Sequence, residues 1–73
     1  MAEHIVEAPA PGKILKTYAE AGTHVAEGDR LCLMEALKME LPIVAPAGGT
    51  VTKLHVAAGQ MVEAGDPLAV IEG

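Results

Sequence analysis

The stretch LMEALKMEL, residues 33–41, decides the fold because it reads two ways. Taken alone it is a helix: Leu, Met, Glu, Ala and Lys are strong helix formers, and no Gly, Pro or β-branched residue interrupts them. Lys38 is then a solvated charge with Glu35 as its i−3 partner, and Leu33, Met34, Leu37 and Leu41 form a buried stripe. The other reading is a strand, a reversal and a second strand, with Lys38 held out at the bend. The nonapeptide by itself favours the helix. The rest of the chain reverses that preference.

Moving outward, the sequence matches itself at an offset of 37. APAPGKILKTYAEAGTHVAEGDRLCLME (8–35) lies over APAGGTVTKLHVAAGQMVEAGDPLAVIE (45–72) without a gap, and 12 of the 28 positions are identical, from Ala8/Ala45 to Glu35/Glu72. Two copies are too few for a solenoid. They suggest two similar halves facing each other about a pseudo-twofold axis, each covering the other's apolar face. Each copy opens with Pro and Gly, continues as an alternating segment (14–18 and 51–56), and passes through Gly-x-x-Val-x-x-Gly-Asp-x-Leu into a short apolar run. Segments this short between glycine turns are strand-sized. The copies therefore arbitrate. Leu31–Met34 aligns with Leu68–Ile71, a β-type run, and Leu41–Val44 aligns with His4–Glu7, another extended candidate; Pro42 opposes a helix running through it. Residues 36–39 must hold a hairpin turn between halves 1–36 and 39–73. Position 38 also maps onto position 1, so a pseudo-twofold puts the lysine at the end farthest from any fused domain.

Composition bounds the function. Seventy-three residues allow one domain with little core to spare, since a chain this size buries only about 60% of its unfolded surface. Half the residues are hydrophobic, nearly all aliphatic, with Tyr18 the only aromatic. Ten acids against five bases give a net charge of −5, which repels phosphate backbones and anionic membranes. Nucleic acid and membrane insertion are poor expectations. Cys32 is the only cysteine, so no intrachain disulfide exists, and it reads as a small buried hydrophobe in a reducing compartment. The cytoplasm is the expected location.

The sequence around the lysine, Glu35-Ala36-Leu37-Lys38-Met39-Glu40, resembles the Glu-Ala-Met-Lys-Met attachment sequence of biotinyl domains. The Ala-Pro-x-x-Gly and Gly-x-x-Val-x-x-Gly-Asp-x-Leu elements resemble the rest of that family, over nearly the whole chain. The resemblance implies an all-β fold, a flattened barrel or sandwich of two four-stranded antiparallel sheets with pseudo-twofold symmetry, and one domain over 1–73. It implies that biotin protein ligase joins biotin covalently to Lys38 through biotinyl-adenylate, reading Glu35, Ala36, Leu37, Met39 and Glu40. The biotin then carries a carboxyl group between a biotin carboxylase and a carboxyltransferase or decarboxylase. Such a domain is a non-catalytic carrier. Leu37 stands where the family usually has Met; the two are close in volume, but the swap falls in the neighbourhood that a ligase reads. The repeats align without the protruding insertion of common bacterial acetyl-CoA carboxylase carriers, so the thumb-less type is implied.

Physical chemistry runs beside the resemblance. A two-residue hairpin wants positive φ at both central positions, which Asn-Gly normally supplies. Leu37 and Lys38 would have to adopt it, at about 1–3 kcal/mol per residue. Acylation would remove the Lys38 charge and move the net charge from −5 to −6. Among the methionines, Met34 and Met61 read as core filler and Met39 as exposed. His4, His24 and His55 are far apart and lack a partner at ligand spacing, so no metal site is expected. No Ser-His-Asp or Cys-His arrangement is suggested. Two other functions remain: a lipoyl carrier, whose turn usually reads Asp-Lys-Ala, and an unmodified β-sandwich interaction module.

Overall fold

Residues 33–36 and 39–41 are extended and a turn at 37–38 joins them; none of the stretch is helical. The computed structural model describes residues 2–73, and its strands run β1 (Glu3–Glu7), β2 (Gly12–Thr17), β3 (His24–Val25), β4 (Arg30–Ala36), β5 (Met39–Val44), β6 (Gly49–Leu54), β7 (Met61–Val62) and β8 (Pro67–Glu72). They form two four-stranded antiparallel sheets, ordered β1-β8-β6-β3 and β5-β4-β2-β7. Applying the 37-residue offset turns one order into the other, strand for strand. The two copies do not face each other as separate layers, as the repeat alone suggested. Each sheet takes two strands from each copy, so the halves interlock, and neither can form its sheet alone. Met1, onto which Lys38 maps, lies outside the described residues.

The apolar runs explain the layering. Leu31, Cys32 and Met34 of β4 and Leu68, Ala69 and Ile71 of β8 are buried in the centre, packed with Ile14 and Val51. A plain strand alternates its faces, so two consecutive buried residues need a device. The register shifts between Arg30 and Cys32 where β4 meets β5, and Leu31 is the extra residue; Leu68 occupies the same position in β8 against β1. Such a bulge turns neighbouring side chains to one face. Pro42 sits on β5, an edge strand, and Pro67 begins β8, the places where a missing N–H costs no ladder bond.

The repeated Gly-Asp pairs lock the copies together. Gly28 (φ 89°) and Gly65 (φ 88°) take a left-handed conformation that glycine adopts without steric cost. In each turn an aspartate oxygen accepts a backbone N–H three residues back: Asp29 Oδ2 from Ala26 at 2.9 Å, Asp66 Oδ2 from Glu63 at 2.9 Å. The backbone then crosses to the other copy. Gly28 N–H donates to the Ala45 carbonyl and Gly65 N–H to the Ala8 carbonyl, both at 2.9 Å, while Ala45 and Ala8 donate back to Asp29 and Asp66. This reciprocal clamp accounts for why Ala8/Ala45 and Gly-Asp recur at fixed spacing.

Candidate functional site

β4 and β5 meet at the register pair Ala36↔Met39, leaving Leu37 and Lys38 alone in the turn. Both have positive φ, 53° at Leu37 and 62° at Lys38, and they are the two non-glycine residues among those described that do. This is the tight turn whose twist matches a hairpin, made here without the Asn or Gly that would relieve it. What holds the strain is the base of the hairpin. Ala36 and Met34 are buried, and Ile43 packs into the same core from β5. The tip, by contrast, meets solvent: Leu37 is 86% exposed and Met39 61%, and Lys38, Glu35 and Glu40 are exposed as well. The six residues singled out from the sequence are thus brought to one end of one sheet, with Ala36 as the buried anchor and the other five available to a partner.

Cross-strand register extends the site beyond that hexapeptide. Met61 lies opposite Lys13, Lys13 opposite Glu35, and Glu35 opposite Glu40, one row across β7, β2, β4 and β5. Residues directly opposite one another share a face of the sheet. All four are exposed, so the row lies on the outer face just behind the lysine turn. Gly12 brings β2 close under the end of β4, where a Cβ would collide with the Glu35 carbonyl oxygen. The result is a surface hollow whose lining includes Gly12, Lys13, Glu35, Leu37, Lys38 and Met61.

Met61 is a correction to the sequence reading: it is 69% exposed, more than Met39, and fills no core. β7 is a two-residue edge strand whose inward position is taken by Val62, so Met61 must point out. The signal was present in the repeat, because Met61 aligns with His24, a polar and exposed residue. Met34 is fully buried, as expected. The histidines stand apart on different elements, His4 on β1, His24 on β3 and His55 after β6.

With this geometry in view, comparison with known proteins decides the family. The model described as "Biotin-requiring enzyme", which spans biotin- and lipoyl-bearing domains, matches residues 4–71. The chain belongs to this biotin/lipoyl family. Within it, the chain is 47% identical over 38 residues to pyruvate carboxylase from Bacillus subtilis, covering 52% of this chain and 3% of that protein. Among solved structures it resembles the urea carboxylase of Kluyveromyces lactis, with a TM-score of 0.89 and 36% identity over 99% of this chain and 6% of that one. It also resembles a single-chain, multi-domain long-chain acyl-CoA carboxylase, with a TM-score of 0.85 and 32% identity over 93% of this chain and 7% of that one. The chain therefore spans only a small fraction of these relatives. The architecture of two four-stranded antiparallel sheets that the resemblance implied is the one observed.

Proposed function

We propose that this domain is a biotin carboxyl carrier, with Lys38 as the residue that receives biotin. One observation carries the reading: Lys38 occupies the second position of a strained, solvent-facing two-residue turn between apolar Leu37 and Met39, in a chain of the biotin/lipoyl family. A turn chosen for stability would carry Asn-Gly. The lysine is kept there at a cost, and a functional site is where such a cost is tolerated. The three carboxylases among its relatives support biotin over lipoate, as do the apolar neighbours of the lysine.

The chain's own part is presentation. The Nζ amine, once deprotonated in the ligase, attacks the carbonyl of biotinyl-adenylate; an amide N–C bond forms, and the adenylate oxygen leaves with its electron pair. Ala36, buried at the base, fixes the direction of the turn, so little ordering remains to be done on docking. Glu35, Leu37, Met39 and Glu40 offer the ligase two carboxylates and two apolar side chains around the amine. When attached, biotin supplies the atom that carries the carboxyl group. The domain itself has no part in bond breaking, and its partners are a biotin carboxylase and a carboxyltransferase or decarboxylase. The buried free thiol of Cys32 suits a reducing compartment such as the cytoplasm.

Intact mass after incubation with biotin, ATP and biotin protein ligase tests the reading. The expected result is a single biotinyl increment that the Lys38→Arg variant lacks, and no increment with lipoate ligase and lipoate. An unchanged mass, or an increment retained in Lys38→Arg, refutes it.

A further inference from the structure

The outer face behind the turn holds two residues that neither the fold nor the attachment sequence explains. Lys13 and Met61 are adjacent across strands β2 and β7, both exposed, and both line the hollow that Lys38 itself borders. The pseudo-twofold supplies an internal control. Its second hollow, at the opposite sheet, lies along His24, Asp29, Gly48, Gly49 and Gly73. Beside it, at the equivalent register positions, Thr50 stands in place of Lys13 and His24 in place of Met61, and the two satisfy each other, His24 Nδ1 lying 3.2 Å from Thr50 Oγ1. The scaffold is thus built equally well without a lysine and a methionine at these positions. They occur only at the end that carries the attachment lysine.

We propose that this hollow is a resting seat for the ring system of the biotinyl group on Lys38, with Lys13 and Met61 as the residues that hold it. The proposal rests on the carrier reading above and deepens it. Chemistry matches along the row. A ureido ring presents one carbonyl acceptor flanked by N–H donors. Lys13, a donor, and Glu35, an acceptor, stand directly opposite each other in the sheet. The fused thioether ring is apolar and polarizable, and the exposed thioether of Met61, next to Lys13 in the same row, is an adaptable surface for it. Leu37 closes the hollow on the turn side.

Reach is sufficient. Lys38 is three residues from Glu35, at most about 10 Å along the chain, and Lys13 and Met61 lie one and two strands to the side, about 5 and 10 Å. A lysine side chain lengthened by a pentanoyl chain spans these distances when folded back over the turn. Because arm and seat belong to one chain, docking is intramolecular and draws on a high effective concentration, so even weak contacts populate it. Weakness is also required, since the ring must leave for each partner active site.

Methyl NMR on the full chain tests this. The methionine methyls are labelled with ¹³C, and complete biotinylation is verified by intact mass. On biotinylation the Met61 methyl resonance is expected to move and to show NOEs to protons of the ring system, while buried Met34 stays in place. In biotinylated Lys13→Gln the Met61 resonance is expected to return toward its unmodified position and the NOEs to be lost. A fully biotinylated chain whose Met61 methyl keeps its unmodified position and shows no NOE to the ring overturns the seat while leaving the carrier reading intact. A chain that gains no biotin mass overturns the carrier reading, and the seat with it.

Discussion

Replacing Leu37-Lys38 by Asn-Gly is expected to stabilise the domain while abolishing its modification. Both residues sit in the left-handed region, which costs an ordinary L-residue about 1–2 kcal/mol. Asn tolerates that conformation, and Gly adopts it freely. Against this, Gly gives the unfolded chain extra freedom worth about 0.5–1 kcal/mol. Loss of the Leu37 side chain removes almost no packing, because it is 86% exposed. The balance is a gain of about 1–2 kcal/mol. For a domain of this size each kcal/mol moves Tm by about 4–8 °C, so a rise of about 4–16 °C is expected. Urea unfolding should show a higher midpoint at unchanged slope, because the surface exposed on unfolding is the same. A midpoint unchanged or lowered would mean that the turn is not strained as its dihedral angles indicate. Function would then not be holding Lys38 in place against stability.

Three further perturbations probe the scaffold. Gly12→Ala drives a Cβ into the Glu35 backbone carbonyl, which cannot swing aside as a side chain would; a loss of about 1–3 kcal/mol is expected in urea unfolding, and a neutral result would contradict the close approach of β2 to β4. Asp29→Ala and Asp66→Ala each remove the acceptor for one turn N–H and should cost about 0.5–1.5 kcal/mol apiece, with similar values because the pseudo-twofold makes the turns equivalent. Burial pushes the Cys32 thiol pKa up by stripping the thiolate of hydration. The folded value then exceeds the unfolded one, so its contribution is complete below the unfolded pKa, about 8.5, and is lost as pH rises through the folded value. Stability should therefore decline in mildly alkaline buffer, and Cys32→Val should flatten that decline; equal slopes in the two proteins would count against it.

Much of the candidate site was legible because the sequence repeats. The alignment of LCLM with LAVI overrode the helical propensity of residues 33–41 and placed the reversal within 36–39, and the geometry of a two-residue hairpin assigned positive φ to Leu37 and Lys38. Met61 was misread because a methionine between short apolar segments carries no label of its own. Only the register, which spends the inward position of β7 on Val62, turns it outward. Lys13 is not legible as part of the site for a related reason. It is distant in sequence from the attachment hexapeptide, and no local pattern says that β2 lies beside β4.

By itself, the sequence determined the six longer strands, where the chain reverses and which amine stands at the reversal, since turn chemistry and periodicity are local properties that a duplicated chain states twice; the two-residue strands β3 and β7 were not among them. Tertiary structure alone decided that the copies interleave rather than stack, and that residues of β2 and β7 stand beside the lysine. Those facts depend on which strands share hydrogen bonds. Pairing between distant strands is settled by burying both apolar faces at once, a condition on the whole chain that no single segment carries.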